Sequence, residues 1–318
     1  MAMGAVDQLG PAEVAAFGTR VAANVARGVR VPERVTRELL IALLAGGHVL
    51  VEDYPGVGKT ALARALAASV EAEVARVQCT SDMLPADLVG ANVFNQRDGR
   101  FEFRPGPVFA NVVLVDEINR ASAKTQSGLL ECMQEGRVTV DGTTHELARP
   151  FLVLATQNPI EFEGTYALPQ AQLDRFMVRL SLGYPSAADE AAMLAEHLPG
   201  DRVLELTPVS TIAEVVAVQE AVARVHASEA LREYIVALVD RTRRDPRTEL
   251  GASPRAGLML LRAAVVEASL QGRDHVLPDD VQALASSVLG HRLLLAPGVP
   301  DAARAEIVDA ALAAVPAL

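Results

Sequence analysis

A short apolar stretch at residues 48–52 runs directly into a glycine-containing loop that ends in Lys59 and Thr60. Gly56 and Gly58 allow the backbone to turn so that consecutive N–H groups point inward, which is how proteins cradle phosphate groups. The helix predicted after the loop would present its positive N-terminal end to the same anion. The segment therefore predicts a strand, a phosphate-binding loop and a helix, which together form a P-loop.

The predicted phosphate-binding residues are Pro55, Gly56, Val57, Gly58, Lys59, Thr60 and Ala61. Lys59 is expected to reach the β- and γ-phosphate oxygens, and the Thr60 hydroxyl to coordinate Mg²⁺. The strict pattern G-x-x-x-x-G-K-[ST] has glycine where this chain has Asp53. That glycine shapes the exit from the strand, and Asp tolerates turn conformations better than most residues. We therefore predict a nucleoside triphosphate as ligand, the alternative being a glycine-rich turn that only links strand and helix.

Bulk composition restricts the class of protein further. The chain has 318 residues, 50% of them hydrophobic, which is enough for one large or two medium cores. A formal net charge of −11 argues against nucleic-acid binding, because proteins that bind nucleic acid usually carry a basic face. Cys79 and Cys132 lack metal-type spacing, which favours buried thiols in a reducing compartment. With no signal-peptide pattern and no apolar run long enough to cross a bilayer, we expect a cytoplasmic protein without membrane insertion.

Apolar strands alternate with helices along the first half of the chain. The predicted strands lie at about 48–52, 74–78, 112–116, 151–156 and 176–182, and the predicted helices at about 14–27, 33–45, 60–70 and 122–134. This alternation predicts an α/β fold with a parallel sheet flanked by helices. Two hairpins interrupt the pattern at 92–103 and 137–147, and each contains an Asp-Gly turn signal. The hairpins are expected to be inserts on the α/β core.

The pattern changes near residue 185. From Ser186, which begins a helix-capping sequence that includes Asp189, nearly all of the remaining chain has helical periodicity. We therefore predict an α/β core at residues 1–185 and an all-helical lid domain at residues 186–318.

Two strand ends downstream of the loop carry polar side chains suited to hydrolysis. Asp116 and Glu117 end a continuous apolar strand, where Asp116 would hold Mg²⁺ through its water shell and Glu117 would act as general base. Asn158 ends the following strand, where a neutral amide can bridge the γ-phosphate and the attacking water. The alternatives are surface acids for the pair and a turn residue before proline for Asn158.

Three arginines are candidates for stabilising the transferred phosphate. Arg175 could reach the γ-phosphate of a neighbouring subunit as an arginine finger, the alternatives being a pair with Asp174 or a solvated side chain. Arg179 is a weaker candidate for the same role. Arg255 follows Ser253, a predicted N-cap, so it lies early in a helix from which it could fold down onto the nucleotide.

Together these motifs resemble the AAA+ ATPases, and within them the MoxR family. The resemblance spans about 35–293 and is most specific in the stretches 42–50, 115–121, 155–159, 168–176 and 251–256. It implies Walker A at Gly56, Gly58, Lys59 and Thr60, Walker B at Asp116 and Glu117, sensor 1 at Asn158, the arginine finger at Arg175 and sensor 2 at Arg255.

The resemblance also implies cofactors and partners. It implies Mg²⁺-dependent ATP hydrolysis in a homo-oligomeric ring, expected to be a hexamer, that acts as a chaperone or metal-insertion factor. It implies a von Willebrand factor A domain protein as partner, and hairpins that line the pore of the ring. Residues 29–33 lack the Val-Gly-Gln run usual in the family near the adenine, which leaves ATP and GTP open. The alternatives are a nucleic-acid motor or loader, a regulatory nucleotide sensor, and a magnesium chelatase-like ATPase subunit.

Overall fold

The computed structural model describes residues 9–54, 56–158, 166–184, 187 and 202–317. The strands in this part are β1 (Val49–Glu52), β2 (Val74–Gln78), β3 (Gly90–Asn95), β4 (Arg100–Pro105), β5 (Val112–Asp116), β6 (Arg137–Val140), β7 (Thr143–Glu146), β8 (Leu152–Gln157), β9 (Val178–Leu180), β10 (Thr248–Leu250) and β11 (Leu294–Leu295). Five of them form one parallel sheet in the order β2-β5-β8-β1-β9. The predicted α/β fold with a parallel sheet is confirmed.

The described helices are α1 (Pro11–Gly28), α2 (Glu33–Leu44), α3 (Lys59–Ser69), α4 (Pro85–Val89), α5 (Ala123–Glu135), α6 (Gln170–Leu173), α7 (Ile212–Val222), α8 (Glu229–Arg243), α9 (Pro254–Leu270), α10 (Pro278–Leu289) and α11 (Ala303–Ala314). The predicted helix at 14–27 starts earlier because Pro11 is suited to a first helical turn. None of the described helices combines the length and the apolarity that crossing a bilayer requires.

The two hairpins lie where the sequence predicted them. Strands β3 and β4 pair antiparallel, as do β6 and β7. Asp141 and Gly142 both have positive φ, +48° and +81°, as a two-residue hairpin turn of this hand requires.

Two predictions about the second half and the edge strand need correction. The region predicted as all-helical also contains β10 and β11, which pair antiparallel. Strands of three and two residues are too short to show a period-2 pattern, which is why the sequence did not reveal them. The strand predicted at 176–182 is limited to β9, because only those three residues pair with β1. The capping sequence at Ser186 and Asp189 lies outside the described residues.

Alternate residues of the central strands enter cores on opposite faces of the sheet. One core contains Val49, Val51, Val112, Leu114, Leu152 and Leu154, and the other contains Leu50, Val113, Val115, Val153 and Ala155. Burial on both faces explains why these strands are continuous apolar runs.

The core on the first face also includes residues of the C-terminal helices. Phe17 of α1 and Leu260 of α9 both belong to it. Helix α1 approaches α9 so closely that a Cβ added to Gly18 would lie 2.4 Å from Leu270 Cδ2. Apolar packing therefore continues across the predicted boundary at 185/186, and the division into 1–185 and 186–318 stays a prediction.

Candidate functional site

The loop between β1 and α3 has the backbone conformation of a phosphate-binding loop. Gly56 and Gly58 have φ values of +85° and +97°, which other residues adopt only with strain. A Cβ on Gly56 would meet no atom within 4 Å, so conformation and not crowding requires glycine there. Gly58 is the N-cap of α3, and Lys59 is its first residue. The N–H groups of the first helical turn have no partners within the helix and can donate to an anion.

The other predicted loop residues occupy three kinds of environment. Val57 is buried in the first core, where it anchors the loop. Thr60 and Ala61 are half-buried in the first turn of α3. Pro55 lies outside the described residues. The first turn of α3 therefore contributes the Thr60 hydroxyl beside the phosphate-binding backbone.

Lys59 contacts the start of its own loop. Its Nζ donates a hydrogen bond of 2.9 Å to the backbone carbonyl of Asp53. Burial lowers the pKa of Lys59 from its usual 10.5, while the negative charges of Asp53, Asp116 and Glu117 oppose that shift. An ammonium group has three donors, so this bond leaves others for phosphate oxygens.

Asp116 is the last residue of β5 and is buried. Its Oδ2 pairs with Arg76 Nε on the neighbouring strand β2 at 2.8 Å. Its Oδ1 accepts a hydrogen bond from the Thr156 hydroxyl on β8 at 3.3 Å. The carboxylate is thus oriented by both neighbouring strands, which the sequence motif alone did not indicate.

Glu117 is held in a conformation that non-glycine residues rarely adopt. Its φ and ψ are +56° and +51°, and its N–H donates to Thr156 Oγ1 at 2.9 Å. Its Oε2 accepts from Gln78 Nε2 at 3.0 Å and pairs with Arg120 Nε at 2.9 Å. Strained backbone of this kind clusters at functional sites, where the surrounding structure fixes a side chain in one direction.

The predicted groups meet at one edge of the sheet. β5, β8 and β1 are neighbours and parallel, so Asp116, Asn158 and the phosphate-binding loop all follow the carboxyl ends of adjacent strands. Asn158 is buried directly after β8. Sequence reasoning missed Thr156, although it lies two residues before Asn158 and period-2 alternation places both on the same side of the strand.

Arg175 lies at the opposite, amino edge of the sheet, three residues before β9. The alternative that it pairs with Asp174 is wrong, because that carboxylate is occupied by Arg292 Nε at 2.8 Å and Ser253 Oγ at 3.0 Å. Within the described part of the chain, the Arg175 guanidinium has no hydrogen-bond or ion-pair partner. It is half-buried, and its role as an arginine finger stays a prediction.

Arg255 also lies at the amino edge. Its Nη1 donates to Gln134 Oε1 at 3.4 Å, near the C-terminal end of α5. It lies close enough to His48, the residue before β1, for its charge to help lower the pKa of that imidazole, although burial is the main cause. The loop that would hold the nucleotide of the same chain follows the other end of β1, and the contact of Arg255 with a nucleotide stays a prediction.

Arg179 belongs to a different environment from Arg175. Its Nη1 pairs with Glu52 Oε2 at 2.8 Å and lies 3.8 Å from an oxygen of Asp301. These partners are in its own chain, which weakens Arg179 as a finger that reaches a neighbouring subunit.

The first hairpin carries two exposed aromatic rings. Phe94 and Phe101 are 52% and 71% exposed, and their ring centroids lie 5.3 Å apart. Phe103 instead stacks on His145 of the second hairpin at 3.9 Å. That the hairpins line the pore of a ring stays a prediction.

This arrangement of loop, strand ends and helices defines an AAA+ core, and comparisons with known proteins agree. The family described as "ATPase family associated with various cellular activities (AAA)" matches residues 48–178, and the AAA lid domain matches residues 240–311. The chaperone MoxR1 of Mycobacterium tuberculosis is 40% identical over 83% of this chain and 72% of its own length. YeaC of Bacillus subtilis is 51% identical over 81% of both chains.

A solved structure is similar over nearly the whole chain. A candidate ATPase from Cytophaga hutchinsonii is 37% identical, with a TM-score of 0.88 over 96% of this chain and 98% of its own. The chain belongs to the MoxR family of AAA+ ATPases. It is therefore a nucleotide-binding protein and an ATPase by family.

Proposed function

We propose that the chain hydrolyses ATP at the carboxyl edge of its sheet with the help of Mg²⁺. The observation that carries this proposal is the meeting of the phosphate-binding loop, the Asp116–Glu117 pair and Asn158 after three adjacent parallel strands. In open α/β sheets, ligands bind outside the carboxyl ends of the strands. The residues that meet there are those that phosphoryl transfer to water requires.

The donor set fits Mg²⁺. This ion prefers oxygen ligands and usually takes one or two carboxylates together with substrate phosphates. Thr60, in the first turn of α3, and Asp116 would hold it, and Thr156 and Arg76 keep the Asp116 carboxylate oriented. The ion would neutralise charge on the β- and γ-phosphates.

Glu117 and Asn158 would act on the attacking water. As the water oxygen bonds to the γ-phosphorus and the bond to the leaving ADP oxygen breaks, the Glu117 carboxylate would accept the proton of the water. Its hydrogen bonds with Gln78 and Arg120 and its unusual backbone conformation support a fixed direction for this carboxylate. The Asn158 amide would orient the water and the γ-phosphate without adding charge.

Arg175 and Arg255 would complete the site of a neighbouring subunit. Both lie at the amino edge, so neither is placed beside the phosphate-binding loop of its own chain. A closed ring, for which we propose six subunits, would bring this edge to the carboxyl edge of the next copy. A guanidinium supplied in this way would stabilise the charge that develops on the transferred phosphate.

For the biological role we propose chaperone-like remodelling or metal-cofactor insertion in the cytoplasm, on a partner with a von Willebrand factor A domain. The relative MoxR1 carries the name chaperone, which supports the first part. DNA-stimulated hydrolysis would instead support a nucleic-acid motor, and chelatase activity with added subunits would support a magnesium chelatase-like role.

Two variants test the chemistry. Lys59→Ala should abolish binding of fluorescent ATP, because it removes the cation that holds the phosphates. Glu117→Gln should bind ATP but turn it over roughly 10²–10⁴ times more slowly, the usual contribution of general base catalysis. Asp309→Asn, an exposed residue on α11, is the control for loss of a negative charge. Rapid turnover by Glu117→Gln would refute the assignment of the base.

A further inference from the structure

Asp53 stands where the strict P-loop pattern has glycine, and its backbone does not need glycine. The described non-glycine residues with positive φ are Glu71, Glu117 and Asp141, so Asp53 has an ordinary conformation. Asp53 is only 3% exposed, which is unusual for a carboxylate unless it is paired or hydrogen-bonded. The aspartate must therefore be explained by what its carboxylate contacts.

The carboxylate binds the segment that follows β9. Its Oδ2 accepts hydrogen bonds from the N–H groups of Leu182 and Gly183, at 2.5 and 2.8 Å, and from the Ser181 hydroxyl at 3.3 Å. Its Oδ1 accepts from the N–H of Tyr54 at 3.0 Å. Hydrogen bonds to an ionised acceptor are the strong ones, particularly where water is excluded.

The backbone of Asp53 contacts the catalytic side of the loop. Its carbonyl accepts from Lys59 Nζ at 2.9 Å, and its N–H donates to the carbonyl of Gln157 on β8 at 3.2 Å. The neighbouring Tyr54 stacks on Tyr184 with ring centroids 5.3 Å apart and planes 16° from parallel. Asp53 thus joins Lys59, the lysine proposed to hold phosphate, to residues 181–184. We term these residues the connector because they lead from the sheet toward the C-terminal helices.

The connector borders open space on its other side. A cavity of about 780 Å³ is lined by Asp53, Tyr54 and Ser181 and, across it, by Ser287 of α10. Ser181, the first residue of the connector, therefore borders open space at the point where its hydroxyl contacts Asp53.

We propose that Asp53 is a positioning residue that couples the phosphate-binding loop to the connector, so that nucleotide bound by Lys59 changes the conformation of residues 181–184. This inference rests on the proposed nucleotide site. A glycine at the same position would preserve the loop but would not make the three hydrogen bonds to the connector. The charge of Asp53 also favours the protonated form of Lys59.

The test measures amide hydrogen exchange in the connector of the full chain, with and without the non-hydrolysable analogue AMP-PNP and Mg²⁺. In the wild type, nucleotide should change exchange at Leu182 and Gly183. In Asp53→Gly these amides should exchange at least about tenfold faster, with no response to nucleotide. The kcat of Asp53→Gly should fall roughly tenfold while its KM changes less than about threefold, because the loop still binds phosphate. Glu52→Gln removes a neighbouring carboxylate that does not contact the connector, and its connector should respond as in the wild type.

Each outcome decides for or against the coupling. A nucleotide response in Asp53→Gly equal to that of the wild type would overturn it. Loss of AMP-PNP binding by a variant with a normal circular dichroism spectrum would also overturn it, in favour of a direct role in holding phosphate. If Asp53→Gly fails to fold, Asp53→Asn and Ser181→Ala should give the same effects in smaller size, and no effect in either would overturn the proposal. A wild type that binds no nucleotide would refute the proposed function and with it this coupling, whereas faster connector exchange in Asp53→Gly would still show that the Asp53 carboxylate holds the connector.

Discussion

The two edges of the central sheet differ in how their charged side chains are paired. At the carboxyl edge, Asp116 and Glu117 are held by polar partners from their own chain. At the amino edge, Arg175 has no partner in the described part of the chain, and Arg255 makes only a long hydrogen bond to Gln134. The two acidic side chains of one edge have partners in their own chain, whereas within the described residues Arg175 has none and Arg255 has one.

The difference supports the proposal that a single chain holds two half-sites, which meet only between copies. The four residues of β1 separate the edges by about 13 Å of strand, and packing on both faces keeps the sheet rigid. On this proposal, Arg175 and Arg255 of one chain serve the acidic edge of a second copy. Head-to-tail contacts of this type close into a ring when the rotation between copies permits it.

The largest effect is expected from removing Arg175. Arg175→Ala should lower ATP turnover by roughly 10³–10⁵-fold, the contribution of an arginine that neutralises charge in phosphoryl transfer. Binding of ATP should remain, because the phosphate-binding loop is unchanged. Steady-state turnover and fluorescent-nucleotide titration would measure the two effects separately.

A mixing experiment shows whether Arg175 acts between chains. Arg175→Ala subunits keep Glu117, and Glu117→Gln subunits keep Arg175, so a mixed ring contains some complete sites. Turnover should rise above that of either variant alone. Failure to rise at any ratio would contradict a shared site. Arg179→Ala, which breaks the pair with Glu52 inside one chain, is the matched arginine control.

His48, at the amino edge, should contribute to the pH dependence of stability. His48 Nε2 donates to the carbonyl of Met133, and its Nδ1 accepts from the N–H of Val153, so the neutral ring is the one that fits. Burial lowers its pKa to about 4 from 6.5, with Arg262 and Arg255 adding to the shift. Between pH 4 and pH 6.5, His48 is therefore mostly protonated in the unfolded chain and mostly neutral in the folded chain. The free energy of unfolding consequently decreases as the pH falls through this range. From pH 7 to pH 5 the loss attributable to His48 should be about 2 kcal/mol.

Urea unfolding at both pH values, at one protein concentration, would measure this loss. His48→Gln keeps a donor and an acceptor but does not titrate, so its stability should fall less between pH 7 and pH 5 than that of the wild type. His275→Gln alters an exposed histidine and should show the wild-type dependence. Equal pH dependence in His48→Gln and the wild type would contradict the assignment of this loss of stability to protonation of His48.

Local sequence patterns predicted the strands and the loop, because apolar runs, glycines and strand-end acids are read from neighbouring residues. The contacts that orient the site were not predictable in this way. Asp116 is oriented by Thr156 and Arg76 on two other strands, and the side chain of Asp53 binds residues that follow β9. Such contacts depend on strand order, which no short motif specifies.

The placement of Arg255 shows the same limit. The motif around Ser253 correctly predicted the N-cap of a helix, since its hydroxyl accepts from the N–H of Ala256. The edge of the sheet at which that helix begins is a tertiary property. It follows from the packing of α9 on α1, α2 and α10, and from the bond between Ser253 and Asp174.

The smallest loss of turnover is expected at Arg255. This prediction tests most directly whether the amino edge serves a neighbouring chain. Arg255→Ala should lower turnover about tenfold, the size expected for one charge-assisted contact to a phosphate. Gln134→Ala, which removes its partner in the same chain, should change turnover less than about twofold. Arg255→Ala chains retain the phosphate-binding loop, while Lys59→Ala chains retain Arg255 but cannot hold nucleotide. In mixed rings, added Lys59→Ala chains should therefore raise the turnover of Arg255→Ala chains, because they supply Arg255 to a neighbour that can hold nucleotide. Turnover that only falls with added Lys59→Ala chains would mean that Arg255 serves its own nucleotide, and the amino edge would then not be the half-site presented to a neighbour.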